Sequence, residues 1–314
     1  MAQFESLIRA NKAKSAALVV LFILFFAAVV FGVLFGIGAF IYGWPIVHHR
    51  IAILTTALAA LGLALGMAGL CYYGAPSMVL SSAGAEPVTK GDDPMLLDVV
   101  EEMAVASNLP PPAVYRIDAP SLNALAAGLG PGKAAIVVMR GLRQRLDRAQ
   151  LQAVVAHELA RVASGDIQLM TLAAGFVGLA VLVQEFVKSL VGAKEPALAA
   201  LGLVLVPVML PILLSAPVLG RLIQLGVSRQ RQFLADAEAA RMTRYPEALA
   251  QALEIIDADP DPLDEVSLAT AHLYVVSPLV VGSGDDEPRE SAWSSHPLVA
   301  ERVRRLRAIG NVEG

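Results

Sequence analysis

Apolar residues gather in four long runs along the chain, separated by stretches of ordinary polar sequence. The longest, Ala16–Gly43, holds 28 residues without a charge. A helix crossing a bilayer needs about 20, so this run predicts a membrane span with room for tilt. It is also longer than the apolar core of a secretory signal, about 7–15 residues, and reads as a retained helix. Trp44-Pro45 ends it at an interface. Ile51–Tyr73 predicts a second span, closed by the Tyr72-Tyr73 pair. Only the turn Pro45–Arg50 joins the two, so they form a hairpin. The third run is Ile167–Val183, and the fourth is Pro196–Leu219, carrying Pro207 and Pro211. Prolines are tolerated in membrane helices when neighbours satisfy the freed carbonyls. Length favours two further crossings, with a re-entrant or buried hairpin as the competing reading.

Between the runs the periodicity is that of a folded soluble domain. Asp93–Asn108 has helical spacing and is broken by Pro110-Pro111-Pro112. Val114–Ile117 reads as a short strand, Ser121–Gly132 as a small-residue loop or turn, and Ala134–Met139 as a second strand. Arg148–Ala163 is an amphipathic helix with Gly165 at its end. Gln224–Thr243 and Pro246–Ala258 are further helices, Asp257–Asp264 an acidic turn, and Gly282–Glu290 a polar connection. His296–Ile309 closes the chain as an arginine-rich helix, whose Arg302, Arg304, Arg305 and Arg307 read as a solvated face.

The predicted organisation is therefore a head (1–15), a transmembrane hairpin (16–73), a soluble segment (74–166), a second hairpin (167–219) and a second soluble segment (220–314). Basic residues near the spans favour the head inside: Arg9, Lys12 and Lys14 in the head, against Arg50 in the first turn and Lys188 and Lys194 in the 184–196 connection. With four crossings both soluble segments share the cytoplasmic side with the head, as expected of an integral protein of the inner or cell membrane. Composition agrees: 56% of residues are hydrophobic and 17% charged. The net charge of −4 and the lack of a Lys/Arg-rich tract give no pointer to nucleic acid. The single Cys71 lies in an apolar run, cannot form an internal disulfide and reads as a small buried hydrophobe.

Candidate chemistry sits in Val154–Asp166, VVAHELARVASGD. In the pattern His-Glu-x-x-His, two imidazoles four residues apart share one helix face and grip a metal, while the Glu acts as general base on a metal-bound water. His157 and Glu158 fit the first two positions, but Arg161 stands at the second imidazole. A guanidinium has a permanent charge and no lone pair to give. Glu158 and Arg161 are instead spaced to pair along the helix. His48 and His49, adjacent in the first turn, read as solvated residues.

The order of these segments resembles HtpX-type membrane zinc metalloproteases, relatives of the CAAX prenyl protease, over nearly the whole chain. PSLNALAAG (Pro120–Gly128), GLRQRL (Gly141–Leu146), HELAR (His157–Arg161), RQFLADAEAARM (Arg231–Met242), AHLYVVSP (Ala271–Pro278) and SSHP (Ser294–Pro297) stand where that family has its signatures. The resemblance implies a mainly α integral membrane protein with a small β-sheet. It would have four transmembrane helices and a zincin-like metalloprotease domain split around the second pair. It also implies three zinc-ligand positions, here His157, Arg161 and Gln232, of which only the first keeps a family ligand. Asp236 corresponds to a carboxylate that supports the site, and His296 to a histidine beside the cleft. A substitute site of His157, His296 and Gln232, or one using His272, is the way a metal would be rescued. Ala134, Ala135, Ile136, Val137, Val138 and Met139 are expected to form an exposed edge strand that holds an extended peptide. Arg140 follows, where the family has a small hydroxyl residue.

The expectation is a non-catalytic pseudoprotease with no cofactor, held in the lipid bilayer and binding unfolded or membrane protein chains. An ion-pair network, with Asp236 pairing with Arg161 or accepting from His157, would replace the metal. The alternative is an active zinc metalloendopeptidase of membrane-protein quality control, with an unusual ligand set.

Overall fold

The computed structural model of the chain describes residues 2–42, 50–196, 229–259, 270–277 and 297–310. The first two apolar runs form long helices, α1 (Ala2–Tyr42) and α2 (Arg50–Ser82). Each is long and apolar enough to cross a membrane, and among the described residues they alone meet that standard. Leu24, Leu54, Leu58 and Leu70 stand exposed on them, as side chains meant for lipid would.

Two boundaries differ from expectation. The polar head continues the first helix, because nothing between Lys14 and Ala16 breaks it. Its Asn11 is buried, donating to the carbonyl of Ser164 at 3.0 Å. The second helix runs past Gly74 to Ser82 with Pro76 inside it. That extension carries α2 into the soluble half, where Val79 packs with Leu125, Val137 and Met139.

The soluble part starts with the two-residue β1 (Glu86–Pro87) and α3 (Pro94–Ala106), whose first turn is capped by the Asp93 carboxylate at the amide of Leu96. Strands β2 (Ala113–Ile117), β3 (Ala124–Gly128) and β4 (Ala134–Met139) complete a four-stranded sheet in the order β1-β2-β4-β3. Strand β4 lies parallel to β2 and antiparallel to β3.

This corrects two expectations. Residues 124–128, read as loop from their small side chains, form a fully buried strand, since alanine suits a strand covered on both faces. Residues 134–139 are not an edge, because their backbone is bonded on both sides; the outer strand on that flank is β3. Gly128 ends β3 with φ +150°, where a Cβ would collide with the carbonyl of Lys133. After β4, the short α4 (Arg140–Arg145) has Gly141 in its first turn, pressed so close to the Pro120 carbonyl that no side chain fits. Arg140 pairs with Asp118.

Helix α5 (Arg148–Ala163) opens with a reciprocal cap between Asp147 and Gln150. It is the most enclosed helix, with Leu151, Val154, Val155 and Leu159 all fully buried. Helix α6 (Asp166–Val191) follows across Gly165. Its first half packs on α1 and α2: Phe176 stacks on Phe22 with ring centroids 3.9 Å apart, and Gly175 lets Ala75 approach. Of the fourth apolar run only Pro196 is described; residues 197–228, the turn with His48 and His49, and His296 lie outside the described residues. Helices α7 (Arg229–Thr243), α8 (Pro246–Asp257) and α9 (Val299–Gly310) pack around α5 and join its apolar core with α3 and the sheet.

Candidate functional site

The helical spacing of α5 puts His157, Glu158 and Arg161 into the seam with α7, where Gln232 and Asp236 sit one turn apart. All are buried: His157 and Glu158 are 0% exposed, Arg161 2%, Gln232 3% and Asp236 3%. His157 Nδ1 lies 2.9 Å from Asp236 Oδ1. One turn on, Asp166 takes Arg161 Nε at 3.4 Å and Arg231 Nη1 at 2.7 Å. The end of α5 therefore faces the start of α7, and the two helices run antiparallel. That register sets the turn of Arg161 against the turn of Gln232.

Arg161 is held from several sides. Its Nη1 reaches both oxygens of Glu158, at 3.2 and 3.1 Å, and donates to the Leu273 carbonyl at 2.6 Å. Burial works against the charged guanidinium, but Glu158 and Asp166 outweigh it and raise its pKa further. Asp166 shows the converse: burial pushes its pKa up, and Arg161 and Arg231 bring it below the ordinary carboxylate value. The expected Glu158–Arg161 pair is present. Asp236, however, pairs with His157 rather than Arg161.

Asp236 has a partner the sequence reading put on the surface. Arg302, 1% exposed, lies along its carboxylate with Nε at 2.8 Å and Nη2 at 2.7 Å, and donates Nη1 to the Val275 carbonyl at 2.7 Å. Burial alone would raise the Asp236 pKa, yet Arg302 and the His157 contact hold it well below the carboxylate range. The other arginines of α9 behave as read: Arg304 and Arg305 pair with Glu301, Arg307 with Glu247 and Glu254, all in solvent. The spacing of α9 was consistent with one inward arginine, but only Asp236 on another helix identifies which.

The three positions that the family resemblance marks as ligands, His157, Arg161 and Gln232, fit a metal incompletely. His157 Nε2 and Gln232 Oε1 are buried and find no hydrogen-bond partner among the described residues, as lone pairs facing a metal would. Arg161 contributes a fixed cation between them. Among the described residues no group of three or more His, Cys, Asp or Glu is placed to hold a metal ion. His272 Nε2 is taken up by the Met170 carbonyl, 3.1 Å away, and burial pushes the His272 pKa down to about 4. The charges also close without a metal. Arg161, Arg231 and Arg302 face Glu158, Asp166 and Asp236, three cations against three carboxylates. A divalent ion would leave this dry seam with an excess of positive charge.

Comparisons with known proteins agree on the lineage of this seam. Residues 91–310 match the family described as Peptidase family M48. The chain is 38% identical over 239 residues to a Protease HtpX homolog of Dictyoglomus thermophilum, covering 76% of this chain and 77% of that one. It is 34% identical over 272 residues to one of Tropheryma whipplei, covering 86% and 91%. A third, from Listeria monocytogenes, is 35% identical over 243 residues and covers 73% and 79%.

Proposed function

The chain belongs to peptidase family M48, and from that premise we propose that it is a membrane-anchored, HtpX-like pseudoprotease that binds protein chains without cutting them. The observation that carries this reading is the place of Arg161. At the second imidazole position stands a guanidinium neutralised by Glu158 and Asp166. The carboxylate that would serve as general base is thereby the counterion of a fixed charge. Gln232, at the third position, supplies a carbonyl oxygen but no negative charge. Zinc catalysis generally needs three protein ligands and an open position, and no such set stands among the described residues, so no hydrolytic step is assigned to these residues.

The apolar helices α1 and α2 support anchorage in a lipid bilayer, and the basic residues of the head favour the cytoplasmic side for the soluble half. The sheet, α5, α7 and α9 pack together around the seam. Such a scaffold suits recognition of unfolded or membrane-inserted chains.

The test is a peptidase assay on the detergent-purified full chain, with an unfolded casein and a membrane-protein substrate, in added zinc. Wild type and Glu158→Gln should be indistinguishable from buffer. Cleavage by the wild type that Glu158→Gln abolishes would establish the alternative, an active metalloendopeptidase with an unusual ligand set.

A further inference from the structure

The outer edge of β3 is covered by the chain itself. Segment 273–276 meets its first residues, with Tyr274 in an antiparallel bridge to Leu125. The Val275 amide donates to the Ala124 carbonyl at 3.0 Å. Asn123 adds a bond at each end of its amide: Nδ2 donates to the Val276 carbonyl at 2.8 Å, and Oδ1 accepts from the Val276 amide at 3.4 Å. An open strand edge offers a row of N–H and C=O groups to any extended peptide. Here its start, from Asn123 to Leu125, is taken.

The same segment is gripped from the seam by the two buried guanidiniums. Arg161 donates to the Leu273 carbonyl at 2.6 Å and Arg302 to the Val275 carbonyl at 2.7 Å. Bonds from a charged donor are about twice as strong as neutral ones. Leu273 and Val275 are fully buried, so the segment fills the space between the sheet edge and the converted centre.

We propose that residues 273–276 are a resident ligand of the β3 edge and that Arg161 is the residue that latches them. The substitution that spoils the metal position thereby gains a role: it holds in place the strand that an incoming chain must displace. The ligand class follows from the occupant, Tyr274-Val275-Val276: an extended, uncharged segment rich in β-branched residues. This deepens the chain-binding part of the proposed function by assigning it a surface and a gate.

Two variants loosen the segment from opposite sides. Arg161→Lys keeps a charge against Glu158 and Asp166 but gives up the planar fork. Asn123→Ala releases Val276 and leaves every ion pair untouched. In the full-length protein in detergent, hydrogen exchange of the Val275 and Val276 amides should quicken roughly tenfold in each, the effect of losing a bond of this strength. Photo-crosslinking of a short synthetic Val/Thr peptide bearing a benzophenone should rise in the same variants.

A third variant, Leu125→Cys with Tyr274→Cys, joins an opposed pair whose Cα atoms stand about 4.5–5.5 Å apart in such a bridge, within disulfide reach. Oxidation should abolish crosslinking and reduction restore it. Exchange unchanged in both single variants overturns the latch, and crosslinking that persists with the disulfide closed overturns β3 as the docking edge. None of these readouts depends on metal content or cleavage, so their failure is separate from that of the pseudoprotease reading.

Discussion

Arg161 Nη1 stands 3.2 and 3.1 Å from the two carboxylate oxygens of Glu158, three residues back on the same buried helix. In an active zinc helix the residue at 161 would hold a metal and the residue at 158 would face its water. Here the guanidinium and the carboxylate neutralise each other.

Removing one member should therefore harm the fold. Arg161→Ala leaves Glu158 and Asp166 buried and short of a cation, which costs about 3–5 kcal/mol. Glu158→Gln should cost less, because Asp166 and the Leu273 carbonyl still hold the guanidinium. Denaturant unfolding of the double variant Glu158→Gln with Arg161→Gln should show less than the sum of the single losses; additive losses would deny the coupling.

The arginines of α9 divide sharply. Arg302→Ala strands Asp236 in the seam and should destabilise by about 3 kcal/mol or more. Arg304→Ala, at an exposed pair, should stay within about 0.5 kcal/mol of wild type. Thermal melts of the two variants side by side check this, and similar losses would contradict the placement of Arg302.

Acid should weaken the protein through His272. Its folded pKa of about 4 lies below the ordinary 6.5, so between those values the unfolded chain binds more protons than the folded one. Stability is then whole above about 6.5 and falls as the pH drops towards 4, by on the order of 3 kcal/mol. Asp166 and Asp236 are depressed carboxylates, so their contribution persists through that window and is lost only below about 4. His272→Gln should flatten the melting profile between pH 6.5 and 4.5; an unchanged slope would place the acid sensitivity elsewhere.

Part of the site could be read from spacing: His157 and Arg161 share a helix face at i, i+4, and the Glu158–Arg161 pair follows from i, i+3, whereas Gln232 and Asp236 entered through the family resemblance. The first two apolar helices, α3, β2 and β4 were likewise legible, because each depends on local pattern. What depends on pairing across the chain was not. The alanines of 124–128 carry no β-branched signal, and strand order placed β4 inside rather than at the edge. Gly74 marked a change of composition, although α2, packed along one face at Ala75 and Val79, runs on through it and Pro76. Arg302 resembled its exposed neighbours until α7 supplied Asp236.

The central claim is that the seam between α5 and α7 holds ion pairs in place of a metal. Metal analysis of the detergent-purified full-length protein tests it most directly, alongside Arg161→His with Gln232→Glu. The account predicts no zinc in the wild type and recovered zinc in the double variant, which regains two ligands. Stoichiometric zinc in the wild type, lost on His157→Ala, would contradict it.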